Sequence, residues 1–281
     1  MQEIVTIGHR KVGKGQPAFI VAEAGISHGG DMETARKMVE GVAKCGADAI
    51  KFQTYVTEKR VSKKSPLFNV LKKCELKEED FKELSRIAKK NKIIFFSTPF
   101  DKESVDLLTA LPVPAFKVAS FHIVNLDLLK HIATKGLPII ASRGMADTKE
   151  ISRAVRIFEK YNVDYALLHC VSAYPAKEED ANLNVITSLK NRFKCVVGYS
   201  DHTLGIKVPV YAVASGASIV EKHFTLDKNL PGPDHKLSAD PNDLKKMVSE
   251  IRDLEKILGS SEIRLFDAEK DTIKYRKYSG I

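Results

Sequence analysis

Two histidines occupy equivalent places in the chain, each after a short apolar run. His202 follows the run at residues 194–200, and His223 follows the run at residues 218–222. Both runs predict β-strands, and the histidines are 21 residues apart, about one strand–helix repeat of a parallel barrel. Neighbouring strands of such a barrel end at one face, so we expect both imidazoles to meet around one metal ion. Two protein ligands leave coordination positions open, which predicts a catalytic metal and therefore an enzyme.

Lys51 and Lys117 form a second pair, because each follows a predicted strand core. A lysine at the barrel mouth can simply extend its ammonium group to water. A buried ammonium group without a partner is costly, so two that converge on one face need an anionic counterpart. Hydroxyl side chains follow neighbouring strands and would donate to the same anion. Together these residues predict a phosphorylated anionic substrate, with Thr98, Ser120 and Ser142 as further donors.

Three other polar residues lie near predicted strand ends. Glu23 follows the first predicted strand and is a candidate general acid or base. The rival interpretation is that its carboxylate pairs with one of the two lysines. His28 and His169 each have only their position in favour of a function, and a lone histidine is more often structural.

Eight apolar runs alternate with helical patterns along the chain. Most intervals between runs are 21 to 30 residues long, and the runs are short. This alternation predicts an α/β protein, a (β/α)8 TIM barrel with its chemistry at the C-terminal ends of the strands. The runs begin near Ala18, Ala47, Lys92, Ala115, Pro138, Asp164, Lys194 and Ser218.

Two segments depart from the repeat. Residues 1–17 resemble a small N-terminal β-hairpin that would cover the bottom of the barrel. The second interval is longer than the others, and its extra segment, Val56–Leu76, predicts either a lid or substrate loop, or a mobile basic loop without a catalytic part. We therefore divide the chain into an N-terminal hairpin extension (1–17), a (β/α)8 barrel (18–262) and a C-terminal tail or truncated linker (263–281).

Composition favours a soluble, cytoplasmic globular protein over a membrane or nucleic-acid-binding protein. Hydrophobic residues make up 43% of the 281 residues and charged residues 29%, as in globular proteins with a large core. The net charge of +9 is spread among acidic residues, so DNA or RNA binding is not expected. Neither a signal peptide nor a run long enough to span a bilayer is visible. The four cysteines show no CxxC spacing and fit a reducing compartment.

The order and spacing of these residues resemble the N-acetylneuraminate (sialic acid) synthase family. The resemblance extends from about Phe19 to Lys274, and no single motif is specific without the others. The motifs are Ala22-Glu-Ala-Gly-Ile-Ser-His28, Gly46-Ala-Asp-Ala-Ile-Lys-Phe-Gln-Thr54, Ser97-Thr-Pro-Phe-Asp101, Phe116-Lys-Val-Ala-Ser120, Gly198-Tyr-Ser-Asp-His-Thr203, Glu221-Lys-His-Phe-Thr225 and Pro231-Gly-Pro-Asp-His235.

The resemblance implies a reaction and a role for each site residue. Members condense phosphoenolpyruvate with an open-chain N-acetylated amino sugar such as N-acetylmannosamine, and they release phosphate. It implies a divalent metal ion, Mn²⁺ first and Mg²⁺ or Co²⁺ as alternatives, and a homodimer. The implied roles are metal binding and catalysis for His202 and His223, catalysis for Glu23, phosphoenolpyruvate binding for Lys51, Thr98, Lys117, Ser120, Ser142, Ser172 and Ser200, and sugar binding for Gln53, His122, Tyr174 and Asp234.

The chain departs from the family pattern in ways that bear on the sugar. His122 stands where many members have a glutamate that touches the sugar. The sequences Ser120-Phe and Ser172-Ala-Tyr174 resemble the pseudaminic or legionaminic acid branch, and Arg143 stands where a threonine is common. The family usually carries a small C-terminal antifreeze-like domain, and this sequence stops about where that domain would begin.

Three other functions stay open at this point. A 3-deoxy-octulosonate-type synthase would share phosphoenolpyruvate but would need a second anion site for a sugar phosphate, which Arg143 or the segment 56–73 would have to supply. A barrel that only binds ligand, or serves as a subunit, would bind metal and phosphoenolpyruvate without releasing phosphate. A metal-dependent hydrolase would explain the two histidines but not the two lysines.

Overall fold

The computed structural model of the chain describes residues 2–277 and begins with a two-stranded antiparallel hairpin. Its strands are β1 (Ile4–Ile7) and β2 (Arg10–Gly13). The side chains of Val5, Ile7 and Val12 are buried against apolar residues at the N-terminal ends of the barrel strands. The predicted hairpin is therefore confirmed, and it closes the bottom of the barrel.

The next eight strands form a closed parallel barrel in sequence order, in which the last strand pairs with the first. Each strand begins one or two residues after its predicted start, so the (β/α)8 prediction is confirmed. The strands are β3 (Phe19–Gly25), β4 (Ala49–Thr54), β5 (Ile94–Pro99), β6 (Phe116–Val118), β7 (Ile139–Ser142), β8 (Tyr165–Cys170), β9 (Val196–Asp201) and β10 (Ile219–His223).

Ten α-helices connect the strands and surround the barrel in residues 2–277. Several begin at an aspartate whose side chain accepts a backbone N–H of the first turn; Asp31 does so for the first helix and Asp240 for the last. The helices are α1 (Met32–Lys44), α2 (Thr57–Arg60), α3 (Phe68–Cys74), α4 (Glu78–Lys90), α5 (Lys102–Thr109), α6 (Leu126–Ala133), α7 (Thr148–Lys160), α8 (Asn184–Phe193), α9 (Lys207–Ala214) and α10 (Pro241–Leu258).

Side-chain direction follows the two-residue period of the strands, although both faces are buried. On β10, Glu221 and His223 face the barrel interior, so the intervening Lys222 faces the surrounding helices. The neighbouring β9 is in register, with Lys222 beside Asp201 and Glu221 beside Ser200. Adjacent residues of one strand thus belong to different layers of the molecule.

The cover segment, residues 56–76, lies over the C-terminal face and contains α2 and α3. Thr57 N donates to Glu75 Oε2 at 2.9 Å within the segment. Tyr55 Oη donates to the Leu71 carbonyl at 3.0 Å, and Val56 N donates to Asp101 Oδ2 at 2.9 Å, so the segment is attached to the barrel. Its position agrees with the predicted substrate loop; whether it moves as a lid stays a prediction.

The domain boundaries also stay predictions. Met1 of the predicted hairpin extension and residues 278–281 of the predicted tail lie outside the described residues. Among the described helices, none is long and apolar enough to cross a membrane.

Candidate active site

A cavity of about 480 Å³ opens at the C-terminal ends of the barrel strands. Every predicted site residue lines it except Ser172, whose hydroxyl lies just behind the wall, 2.9 Å from Ser120 Oγ. The lining residues that were predicted are Glu23, Lys51, Gln53, Thr98, Lys117, Ser120, His122, Ser142, Tyr174, Ser200, His202, His223 and Asp234.

The two histidines lie side by side on one wall, with ring centroids 5.7 Å apart. His202 Nδ1 lies 2.6 Å from the Val171 carbonyl and must carry the proton to donate to it, which leaves the Nε2 lone pair free. Burial first, and the neighbouring His223 second, lower the pKa of His202 to about 3, so its ring is neutral. His223 Nδ1 is buried without a hydrogen-bond partner among the described residues, 3.7 Å from Asp234 Oδ2.

This wall fits a divalent metal ion. Neutral imidazoles are the ligand form that metals bind, and an unpartnered buried nitrogen is costly unless a ligand occupies it. Residues 2–277 contain no cluster of three or more histidine, cysteine, aspartate or glutamate side chains suited to a metal. His202 and His223 are the candidate ligands on this wall, and metal binding stays a prediction.

Both lysines lie on the floor of the cavity, and each donates a hydrogen bond to a hydroxyl group. Lys51 Nζ lies 2.7 Å from Glu23 Oε2 and donates to Thr98 Oγ1 at 2.9 Å. Burial acts to lower the pKa of Lys51, but the charges of Glu221 and Glu23 outweigh it and raise that pKa. Lys117 donates to Ser142 Oγ at 2.7 Å, and burial lowers its pKa.

Glu221 joins the two lysines and was missed by the sequence analysis. Its Oε1 lies 3.7 Å from Lys51 Nζ and 3.8 Å from Lys117 Nζ, and it accepts a hydrogen bond from Ser200 at 3.1 Å. Burial acts to raise the pKa of Glu221, but the two lysines reverse this and lower it. Protein carboxylates therefore already face both lysines, and binding of a phosphorylated substrate there stays a prediction. Glu23 pairs with Lys51, as the rival interpretation expected, and its role as a general acid or base also stays a prediction.

A hydroxyl-rich corner adjoins the floor where β6, β7 and β8 end. Ser120 begins a single 3₁₀ turn, and its hydroxyl meets that of Ser172. Gly144 permits this approach: a Cβ atom there would lie 2.2 Å from Ser120 Cβ, and the residue's φ of +40° already favours glycine.

A third group of polar side chains surrounds Gly25, above the floor. Gln53 Nε2 donates to Glu23 Oε1 at 2.9 Å. A Cβ atom at Gly25 would lie within 3.6 Å of Glu23, Gln53 and Asp234, so three polar side chains converge on this point. Tyr174 stacks on His202 with centroids 4.2 Å apart and links this group to the histidine wall.

Comparison with known proteins assigns the chain to a family. Residues 38–263 match the NeuB family. The chain belongs to the NeuB family. An uncharacterised protein of Methanocaldococcus jannaschii is 52% identical over 96% of this chain and 81% of its own length. The N,N'-diacetyllegionaminic acid synthase of Legionella pneumophila is 43% identical over 93% of this chain and 79% of its own length.

A solved structure of the N-acetylneuraminic acid synthetase of Leptospira borgpetersenii superposes with a TM-score of 0.95. It is 43% identical, and the match covers 98% of this chain and 97% of that one. The predicted resemblance to sialic acid synthases is therefore confirmed, and this NeuB protein is an enzyme of the sialic acid synthase kind.

His28 and His169, the two histidines that had only their position in favour of a function, lie outside the cavity lining. His28 Nδ1 accepts the Gly30 N–H at 3.1 Å, and burial lowers its pKa to about 4. His169 Nε2 donates to the Ala181 carbonyl at 2.7 Å, and its Nδ1 accepts from Arg143 Nε at 3.2 Å. Both have structural partners, and Arg143 is engaged with His169 instead of offering a second anion site.

Arg60 is the other charged lining residue that the sequence analysis did not name. It ends α2, and its Nη1 donates to Gln53 Oε1 at 2.9 Å. The only sequence signal was its place in the long second interval, where one basic residue among several cannot be singled out.

Proposed function

We propose that this NeuB protein is a nonulosonic acid synthase that condenses phosphoenolpyruvate with an N-acetylated amino sugar such as N-acetylmannosamine. The products are a nine-carbon 2-keto acid and inorganic phosphate, and the reaction depends on a divalent metal ion, Mn²⁺ first. The observation that carries the proposal is one cavity that joins a neutral histidine pair to a floor of two lysines and several hydroxyls.

Phosphoenolpyruvate is assigned to the floor and the hydroxyl corner. Lys51 and Lys117 would hold its charges, and Thr98, Ser120, Ser142 and Ser200 would donate to its oxygens, with Ser172 supporting Ser120. Because Glu221 already lies near both ammonium groups, the bound anion has to compete with this carboxylate. The fixed donors therefore act mainly by positioning the substrate, since its charge is already present before the reaction.

The open-chain sugar is assigned to the space between the histidine wall and the polar group around Gly25. Gln53, His122, Tyr174 and Asp234 would bind its hydroxyl and acylamino groups. A metal ion held by His202 and His223 would supply Lewis-acid polarisation of the aldehyde oxygen.

The bond changes balance without a redox partner. C3 of phosphoenolpyruvate forms a bond to the aldehyde carbon, and the aldehyde oxygen takes up a proton to become a hydroxyl. The resulting cationic centre at C2 adds water, which loses a proton. The bond from C2 to the phosphate oxygen then breaks while the C2 hydroxyl gives its proton to the leaving phosphate, which leaves the ketone and free phosphate. We assign proton handling to Glu23, whose carboxylate lies at the boundary of both substrate regions.

The decisive experiment measures phosphate release from phosphoenolpyruvate with Mn²⁺ and a panel of sugars, and identifies each product by mass. The panel contains N-acetylated hexosamines, their diacetamido analogues and sugar phosphates. Release that requires an acylated amino sugar supports the proposal. Release only with a sugar phosphate favours the octulosonate-type alternative, and binding of phosphoenolpyruvate without release for any sugar favours a non-catalytic barrel.

A matched pair of histidine variants tests the metal assignment. His202→Ala and His223→Ala are expected to abolish metal-dependent phosphate release and weaken Mn²⁺ binding measured by calorimetry. His131→Ala is the control, because His131 lies on α6 and pairs with Asp106 at the surface. Near-normal turnover in either of the first two variants would contradict the assignment.

Two further properties complete the proposal. All four cysteines are buried and free, which suits the reducing cytoplasm, where we place the enzyme. The homodimer stays a prediction, and analytical ultracentrifugation of the full chain measures it directly.

A further inference from the structure

Arg60, which lines the cavity, has its guanidinium group in the corner between two perpendicular aromatic rings. Its guanidinium carbon lies 3.8 Å from the centroid of the Phe100 ring and 4.4 Å from that of Tyr55. One nitrogen, Nη1, donates to Gln53, while Nε and Nη2 make no hydrogen bond to the described residues. Guanidinium groups keep their charge even when burial lowers the pKa, as it does for Arg60. A residue that lines the cavity therefore has charged donors without a partner among the described residues.

His122 lies beside Arg60 and offers the complementary group. Its ring packs on the same Phe100 ring at a centroid distance of 5.2 Å. Its Nδ1 is buried without a hydrogen-bond partner among residues 2–277. Burial first, and the charge of Arg60 second, lower the pKa of His122, so the ring is neutral and one of its nitrogens can accept a hydrogen bond.

The rest of this wall is apolar. Val61, Leu67, Val70 and Leu71 of the cover segment line the mouth, together with Phe121. Leu67 is 51% exposed and Val70 is 42% exposed, so part of this surface is open to solvent. A ligand that complements the whole wall has a hydrogen-bond acceptor, a donor and a small alkyl group next to one another.

We propose that this wall, formed by Arg60, His122 and the apolar cover-segment residues, binds an acylamino group of the acceptor sugar. Arg60 donates to the acyl carbonyl oxygen, His122 accepts the amide N–H, and the alkyl group lies against Leu67 and Val70. This assignment rests on the proposed function and makes Arg60 a specificity-determining residue for the sugar.

Other substituents fit the wall less well. A phosphate would place two charges against apolar side chains, and within the described part of the chain Arg60 is the only cation at the mouth, since Lys51 and Lys117 belong to the floor. The carboxylates of Glu23 and Asp234 are also close enough to raise the pKa of Arg60, and their negative charges would repel a phosphate. A hydroxyl group would leave the apolar surface uncovered.

The test combines a side-chain change with a matched change in the sugar. Arg60→Met keeps the length of the side chain and its packing on Phe100 but removes the donors. Lys59→Met is the control, because the neighbouring lysine pairs with Glu103 outside the cavity. Sugar affinity is measured by calorimetry, and kcat/KM by phosphate release, for N-acetylmannosamine against mannose and for a 2,4-diacetamido hexose against its 4-hydroxy analogue.

One of the two sugar pairs has its acyl group at this wall. For that pair, Arg60→Met is expected to weaken binding of the acylated sugar about 10- to 100-fold, the effect of one charged hydrogen bond. The affinity for the hydroxyl analogue should change less than about threefold, the scatter expected of independent sites. KM for phosphoenolpyruvate and all values for Lys59→Met should stay at the parent level. Equal losses for both members of each pair, or no loss in either, overturn the proposal.

A second variant keeps the test independent of how Arg60→Met folds. His122→Phe retains the ring on Phe100 and removes the acceptor. It should weaken binding of an N-acetyl sugar more than binding of the corresponding O-acetyl sugar, which has no N–H to donate. Equal effects on the two sugars would contradict the role of His122. Absence of phosphate release in the parent enzyme with every sugar refutes the proposed function, whereas the affinities still decide whether the wall recognises the acyl group.

Discussion

Two charged clusters that include neighbouring residues of β10 differ in how completely their polar atoms are paired. Lys222 and Asp201 face the helices, are completely buried and form a direct ion pair with atoms 2.6 Å apart. Asp201 also accepts from Thr203, so the outer cluster is closed. One residue away, Glu221 faces the cavity, lies 3.7 and 3.8 Å from its two lysines and keeps a buried oxygen without a hydrogen-bond partner in the described chain.

The difference separates a structural role from a functional one among residues of the same types. A closed buried pair has no capacity left for a ligand, and its charges depend on each other. An open cluster with loose contacts and an unpartnered oxygen can exchange partners when a charged ligand arrives. Charged residues alone therefore do not mark the site; the geometry around them does.

The largest expected effect comes from breaking the closed pair. Lys222→Met should lower the free energy of unfolding by about 3–5 kcal/mol, because Asp201 is left buried without its counter-charge. Urea denaturation followed by circular dichroism measures the loss. The double variant Lys222→Met/Asp201→Asn should recover part of it, since the uncompensated charge is gone. If Lys222→Met were as stable as the parent, the charges of Lys222 and Asp201 would not depend on each other.

The matching change in the open cluster should affect activity instead. Lys117→Met removes one phosphoenolpyruvate donor and should reduce kcat/KM about 100- to 1,000-fold. Glu221 keeps Lys51 as a partner in this variant, so the unfolding free energy should change by less than about 1 kcal/mol. Phosphate release and urea denaturation are measured on the same preparation. Destabilisation comparable to that of Lys222→Met would remove the distinction between the clusters.

The buried histidines outside the cavity extend the comparison to pH. Burial lowers the pKa values of His28 and His169 to about 4, below the ordinary value of 6.5. Between these values the unfolded chain binds more protons, so stability should fall as pH drops from 6.5 towards 4. Each histidine contributes a slope of at most about 1.4 kcal/mol per pH unit. His169→Gln should reduce this slope in a series of denaturation measurements between pH 4 and 7. An unchanged slope would contradict the lowered pKa of His169.

The sequence predicted the barrel well because each strand is a short buried run that needs no distant information to recognise. The site followed from the fold, since parallel strands must bring their ends to one face. Glu221 was missed although it lies two residues before His223 on the same strand and must share its side. Arg60 was not predictable in this way, because its position depends on stacking against Phe100, which belongs to another strand–helix unit.

The smallest expected effect concerns the hydrogen bond that orients the open cluster. Ser200 Oγ donates to Glu221 Oε1 at 3.1 Å, and it is the only side-chain hydroxyl bonded to this carboxylate in residues 2–277. Ser200→Ala should reduce kcat/KM about tenfold, the value of one ordinary hydrogen bond, with little change in unfolding free energy. Ser188→Ala on the surface of α8 is the control. A loss as large as that of Lys117→Met would mean that the contact of Ser200 with phosphoenolpyruvate matters more than its hydrogen bond to Glu221. No loss would mean that the two lysines suffice to hold Glu221 in place.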